Sequence, residues 1–168
     1  MFRHELNLDE RVLLIARTRG HNPAAERAVA RFSALGEHAA VWFAIGLGGA
    51  ALDAARAPQW RRAMGTVGRV YALNTAVKLV VRRRRPSLPG LPALTDTPTG
   101  LSFPSAHAST SFAGALSYAE LGLPRAPLLA LAGGLALSRL YLGVHYPSDV
   151  LTGAMLGAAA ANLRGGVR

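Results

Sequence analysis

The sequence predicts an all-α fold: a membrane-embedded bundle of short helices. Three observations predict it. Hydrophobic residues make up 51% of the 168 positions while charged residues make up 17%. The apolar residues gather in five stretches, and alanine and glycine dominate those stretches, as they do where packed membrane helices bring backbones close. No stretch reaches the ~18–20 uncharged residues of an isolated spanning helix, so a soluble bundle of alanine-rich helices stays open as the alternative. The length suits one domain, and the low charge fraction excludes a disordered chain. With 19 basic and nine acidic residues, a net charge of +10 points to anionic partners: lipid headgroups, phosphates or nucleic acid. The chain has no cysteine, which excludes disulfides, thiolate metal sites and a cysteine nucleophile.

Residues 1–35 are expected to form amphipathic helices lying in the headgroup region. Leu8, Val12, Leu13 and Ile15 alternate there with Glu5, Asp9, Glu10, Arg11 and Arg17. Gly20 and Pro23 interrupt this pattern, and a second amphipathic segment runs over 24–32; a solvated helix pair fits the same pattern. No signal peptide is expected, because a long apolar core and a small-residue cleavage site are missing. Residues 36–168 then form the membrane-embedded domain, with about five transmembrane helices over 36–55, 63–81, 105–122, 126–143 and 147–163. In the last stretch Gly153, Gly157 and Ala161 fall at four-residue spacing and make one small face. The second and third stretches are joined by a proline-rich loop, 86–104, that follows the run Arg82, Arg83, Arg84 and Arg85.

Parity brings distant polar clusters together. The second stretch ends, the third begins, the fourth ends and the fifth begins on one membrane face. Lys78 (the only lysine), Arg85 and Arg139 are cations suited to phosphate oxygens. Pro104 and Ser105 before an apolar stretch read as a helix start, whose free N–H groups form an anion site. His145 and Asp149 lie one helical turn apart, so the carboxylate can orient the imidazole and support its developing charge. His107 is a second imidazole, free for proton transfer. This set, without metal-ligand spacing and with no cofactor implied, suits phosphoryl transfer through a phosphohistidine. The arginines are scattered and lack interleaved aromatic residues, which argues against nucleic acid. A non-catalytic basic membrane-binding protein stays open as the alternative of another class.

These residues resemble the three motifs of the type 2 phosphatidic acid phosphatase superfamily, which also contains haloperoxidases. Lys78 is followed after six residues by Arg85-Pro86. Pro104-Ser105-Ala106-His107 matches the second motif, with alanine in the glycine place. Ser138-Arg139, His145 and Asp149 match the third. The resemblance spans about 36–163. It implies that His145 is the nucleophile, oriented by Asp149, and that His107 is the general acid and later the base. It further implies that Lys78, Arg85, Ser105, the backbone at Ala106, and Arg139 bind the phosphoryl group. The methyl of Ala106 is expected to narrow the local backbone angles.

Short length favours a lipid phosphatase over a haloperoxidase. Within the superfamily, Gly36-Glu37-His38, the segment 97–108 and the segment 142–147 are similar to the small decaprenylphosphoryl-5-phosphoribose phosphatases of arabinan precursor synthesis. Undecaprenyl diphosphate, phosphatidylglycerophosphate and phosphatidic acid stay open as substrates. Glu37 and His38 either contact the ribose hydroxyls or only cap a helix in water. The expected partners are therefore a lipid-linked phosphate and the bilayer of the cell membrane. The count of arginines places the active face in the cytoplasm, but it includes candidate catalytic groups. The family usually works on the extracytoplasmic face, which is the orientation expected here.

Overall fold

The computed structural model describes residues 6–165; Glu5 and residues 166–168 lie outside the described residues. Among the described residues seven α-helices follow one another: α1 (Leu8–Thr18), α2 (Pro23–Ala34), α3 (Ala40–Leu52), α4 (Ala57–Val81), α5 (Ala106–Ala119), α6 (Arg125–Tyr141) and α7 (Pro147–Gly165). Among the described residues there is no strand, only isolated bridges pairing Arg84 with Leu101 and Leu88 with Leu91. The all-α expectation therefore holds. The five expected spanning stretches correspond to α3–α7, but with different limits. The first breaks at Asp53, where the backbone leaves helical angles. Asp53 then accepts hydrogen bonds from the Arg56 N–H, Arg56 Nε and Trp60 Nε1. These bonds start the next helix, so α4 begins six residues earlier than hydropathy suggests, carrying Arg61 and Arg62 in its first turns.

No single described helix is long and apolar enough to cross a bilayer. Helix α2 and the segment Glu37–Leu52, bent by 45°, pass that test only together. At ~1.5 Å per residue, the 14 residues of α5 and the 13 of α3 fall short of a hydrocarbon core of ~30 Å.

Helix α5 is the centre of the bundle, packed against α4, α6 and α7. Small side chains permit this. An added Cβ at Gly153 would lie 2.5 Å from the Ser105 carbonyl oxygen, and one at Gly157 would strike the Ser109 carbonyl. With Ala161 fully buried, the small face of α7 is an interface with α5. On the other side, Trp42 fills the space that Gly114 leaves open. Its Nε1 donates to Ser111 Oγ at 2.9 Å, and the Tyr118 hydroxyl donates to the Trp42 carbonyl at 2.7 Å.

The N-terminal residues do form two helices, separated at Gly20 and Pro23 as the sequence predicts. Asn7 and Glu10 make a reciprocal capping box on α1, and Asn22 accepts from Ala24 and Ala25 N–H at the start of α2. Both helices pack on α6. The Arg17 side chain is buried and donates to the carbonyls of Tyr141 (2.9 Å) and Pro92 (2.6 Å). It thereby ties α1 to the loops that hold the site.

Candidate active site

The ends of α4 and α6, the start of α5 and the links that precede α3, α5 and α7 surround a cavity of about 160 Å³. Lys78, Arg85, Ala106, His107, Arg139, His145, Glu37 and His38 line it. Ser105 and Asp149 do not; both are fully buried behind it.

His145 sits in the link between α6 and α7. Its Nε2 meets Arg85 NH1 at 3.2 Å, and its Nδ1 lies 3.5 Å from Asp149 Oδ2. Arginine can only donate, so Nε2 is the acceptor and the ring proton resides on Nδ1, facing the carboxylate. That separation is an ion-pair distance, longer than a normal hydrogen bond. Asp149 Oδ2 instead accepts from the Tyr146 N–H at 2.8 Å. Burial pushes His145 down to about 3; Asp149 opposes the shift, while Arg85, Lys78 and Arg139 add to it. The imidazole is therefore neutral at physiological pH, with its Nε2 lone pair among cations.

Lys78 and Arg85 are anchored by backbone carbonyls and Arg139 by a side chain. Lys78 Nζ donates to the carbonyls of Leu101 (3.2 Å) and Ser102 (3.1 Å). Arg85 donates to Thr99 (2.8 Å) and Val144 (2.7 Å). Burial lowers Arg85 to about 10, which leaves it charged at neutral pH. Arg139 NH1 donates to Ser33 Oγ at 2.7 Å, while its buried Nε has no partner. Three fixed charges thus converge on one small space, an arrangement suited to a phosphoryl group.

The second motif starts α5. Ser105 is the N-cap: its side chain accepts from the Ala108 N–H at 3.4 Å, so it shapes the helix start rather than lining the cavity. The first N–H groups of α5 remain for an anion. Ala106 is the first helical residue and is not among the positive-φ residues. The expected narrowing by its methyl therefore has no consequence here, since helical angles suit alanine.

Several neighbours escape motif reading. Ser33 on α2 is buried; its carbonyl meets His107 Nε2 at 3.0 Å and its hydroxyl accepts from Arg139 and Ser138. Asn74, one turn before Lys78, donates to Pro104 O and Ser109 Oγ. Gly36 lets the chain run against His107: an added Cβ there would lie 2.7 Å from His107 Cδ2. A serine and an asparagine at unpatterned positions carry no sequence signal for such contacts, and the segment Gly36-Glu37-His38 signalled a resemblance without naming His107 as its neighbour. His38 and Ala39 have left-handed backbones, and His38 Nδ1 lies 3.0 Å from the Tyr71 hydroxyl. Among the described residues, no group of three histidine, aspartate or glutamate side chains forms a metal-ligand cluster.

A family model described as the PAP2 superfamily matches residues 60–164. The chain is 44% identical over 128 residues to a decaprenylphosphoryl-5-phosphoribose phosphatase of Mycolicibacterium smegmatis, covering 76% of this chain and 68% of that one. It is 43% identical over 127 residues to the protein of the same name from Mycobacterium tuberculosis, covering 75% and 71%. The fold is similar to that of Aquifex aeolicus LpxE, with a TM-score of 0.80 and 22% identity over 97% of this chain and 98% of that one. It is also similar to a transmembrane PAP2 type phosphatidylglycerolphosphate phosphatase of Bacillus subtilis, with a TM-score of 0.73 and 24% identity over 94% and 83%.

Proposed function

We propose, from the premise that this chain belongs to the PAP2 superfamily, that it hydrolyses decaprenylphosphoryl-5-phosphoribose through a phosphohistidine. The observation that carries the chemistry is the neutral His145, with Nε2 facing Arg85 and the pocket cations and Nδ1 facing Asp149. The named relatives carry the substrate.

His145 Nε2 attacks phosphorus while the P–O bond to the ribose breaks. Lys78, Arg85, Arg139 and the N–H groups at Ala106 hold the phosphoryl oxygens, with Ser105 shaping that helix start. The Nε2–H of His107 donates to the Ser33 carbonyl, so Nδ1 is the atom that exchanges protons: it takes the proton of the phosphate monoanion and, as the imidazolium, gives it to the leaving oxygen. Water then attacks the phosphohistidine, His107 takes a proton from it, and the N–P bond breaks to release phosphate. Proton transfer of this kind is worth ~10²–10⁴-fold, and the fixed cations stabilise the charge of the transition state. Glu37 and His38, at the cavity mouth, contact the ribose hydroxyls.

Membrane embedding is supported by Leu47, Leu52, Leu73, Leu79, Val80, Leu137, Leu151 and Met155, all exposed on α3, α4, α6 and α7. So much apolar surface on several sides of one bundle suits lipid rather than water. On α1, Leu8, Val12 and Ile15 are likewise exposed at one-turn spacing, as in an interfacial helix. The active site faces the extracytoplasmic side.

The test uses purified protein in mixed micelles with a chelator present throughout. The wild type should release phosphate faster from the decaprenyl phosphoribose than from phosphatidic acid, and acid-quenched protein should carry phosphate on histidine. His145→Ala should lose both turnover and label, and Glu37→Gln should impair the phosphoribosyl lipid selectively. A preference for phosphatidic acid overturns the substrate. Turnover by His145→Ala overturns the mechanism.

A further inference from the structure

The four-arginine run does not act as one patch. Arg85 enters the cavity, whereas Arg83 turns the other way and reaches the rear of the nucleophile's carboxylate. Its NH1 donates to Asp149 Oδ1 at 2.8 Å and to Ser148 Oγ at 2.7 Å. Its NH2 donates to Asp9 Oδ2 on α1 at 2.8 Å. The guanidinium lies 4.0 Å over the Tyr146 ring. Asp9 in turn accepts from the Ser148 N–H at 2.9 Å and, at very short range, from the Ser148 hydroxyl.

We propose that Arg83, clamped by Asp9, is a positioning residue for Asp149 and, through it, for His145. This rests on the phosphohistidine reading above. The geometry is that of a two-sided grip. Asp149 Oδ1 is held by Arg83, and Oδ2 is held by the Tyr146 N–H while facing His145 Nδ1. A carboxylate fixed at both oxygens cannot rotate, so the imidazole proton meets the same acceptor in every turnover. Arg83 is fixed by its own planar fork, one nitrogen on each carboxylate. Asp9 also holds the start of α7 at Ser148, one residue before Asp149 in sequence. Helix α1 lies outside the matched family region of 60–164, yet it supplies the outer half of the grip. A headgroup-binding role for Arg83 would require a free guanidinium, and this one is already paired on two sides.

The test is steady-state kinetics on the detergent-solubilised full chain with p-nitrophenyl phosphate and with phosphatidic acid, alongside Tm. Arg83→Gln should lower kcat ~10–100-fold with KM within about twofold. Asp9→Asn, nearly isosteric, should lower kcat several-fold in the wild-type background and have no further effect beside Arg83→Gln, as expected of partners in one contact. Arg83→Lys should recover part of the lost kcat. The phosphohistidine formed per folded molecule should fall in step with kcat. If Asp9→Asn keeps wild-type kcat while Tm falls, Arg83 and Asp9 only hold the fold, and the proposal fails. A change in KM alone also overturns it. Asp9→Asn decides the question by itself where Arg83→Gln does not fold. An inactive wild type would defeat the phosphatase reading instead, so the two failures are distinct.

Discussion

At the scale of single residues, the proposed chemistry rests on keeping one imidazole neutral amid positive charge. His145 has almost no contact with solvent, and burial together with Arg85, Lys78 and Arg139 lowers its pKa to about 3 from the ordinary 6.5. The consequence for stability has a definite sign. Between these two values the unfolded chain binds a proton that the folded chain refuses. Stability from this group is thus fully present above pH 6.5 and is lost as pH falls towards 3. At pH 5 the loss amounts to ~2 kcal/mol for one such group. His145→Asn has no proton to gain there, so the Tm of the wild type should fall more than that of the variant between pH 7 and pH 5. Parallel curves would mean that His145 titrates normally in the fold. That Lys78, Arg85, His107, Arg139 and His145 meet at one cavity was legible in sequence, because histidine, lysine and arginine at fixed spacings have few common structural reasons to coincide. Ser33, Asn74 and Asp9 were not, because their partners lie 30 to 140 positions away. Polar residues of those types ordinarily cap helices, as Asn7 and Asn22 do here.

At the scale of elements, the apolar stretches located α3 to α7, and the errors have local causes. Hydropathy placed the start of α4 too late because Arg61 and Arg62 mask a helix that Asp53 and Pro58 begin. It placed the end of α3 too late because Leu52 and the alanines beyond it look continuous with the helix. The small face of α7 was readable from spacing alone, since glycine at every fourth position leaves one side of a helix without side chains. Its partner was not, because nothing in the spacing names α5. The same substitution should therefore have opposite effects at two glycines. Gly157→Ala drives a methyl into the Ser109 backbone and forces α5 from α7, an overpacking cost of ~1–3 kcal/mol. Gly133→Ala, on α6 with nothing within 4 Å of the added carbon, should instead gain ~1 kcal/mol of helix propensity. Tm should fall for the first and rise for the second. A fall of equal size in both would mean that the α5–α7 contact does not limit stability.

At the scale of the whole molecule, the arrangement of charge and apolar surface bears on which side of the membrane the cavity opens. Counting arginines gave the cytoplasm, because 82–85 and the N-terminal segment are counted together. The structure alters the weight of that count. Arg85 is anchored inside the cavity, Arg83 is paired with two carboxylates, and Arg17 is buried against backbone carbonyls. Cations held by the fold are poor reporters of topology, and without them the excess on this face shrinks. The remaining count no longer argues against the proposed extracytoplasmic cavity. The chain contains no cysteine, so thiol labelling has no background. Ser87, exposed in the loop beside the cavity, and Ala126, exposed at the opposite end in the first turn of α6, are suitable positions. Ser87→Cys should react with a membrane-impermeant maleimide in intact cells, and Ala126→Cys only after the membrane is permeabilised. The reverse pattern would place the cavity in the cytoplasm. Labelling of both in intact cells would show that the bundle does not separate its two ends across a bilayer.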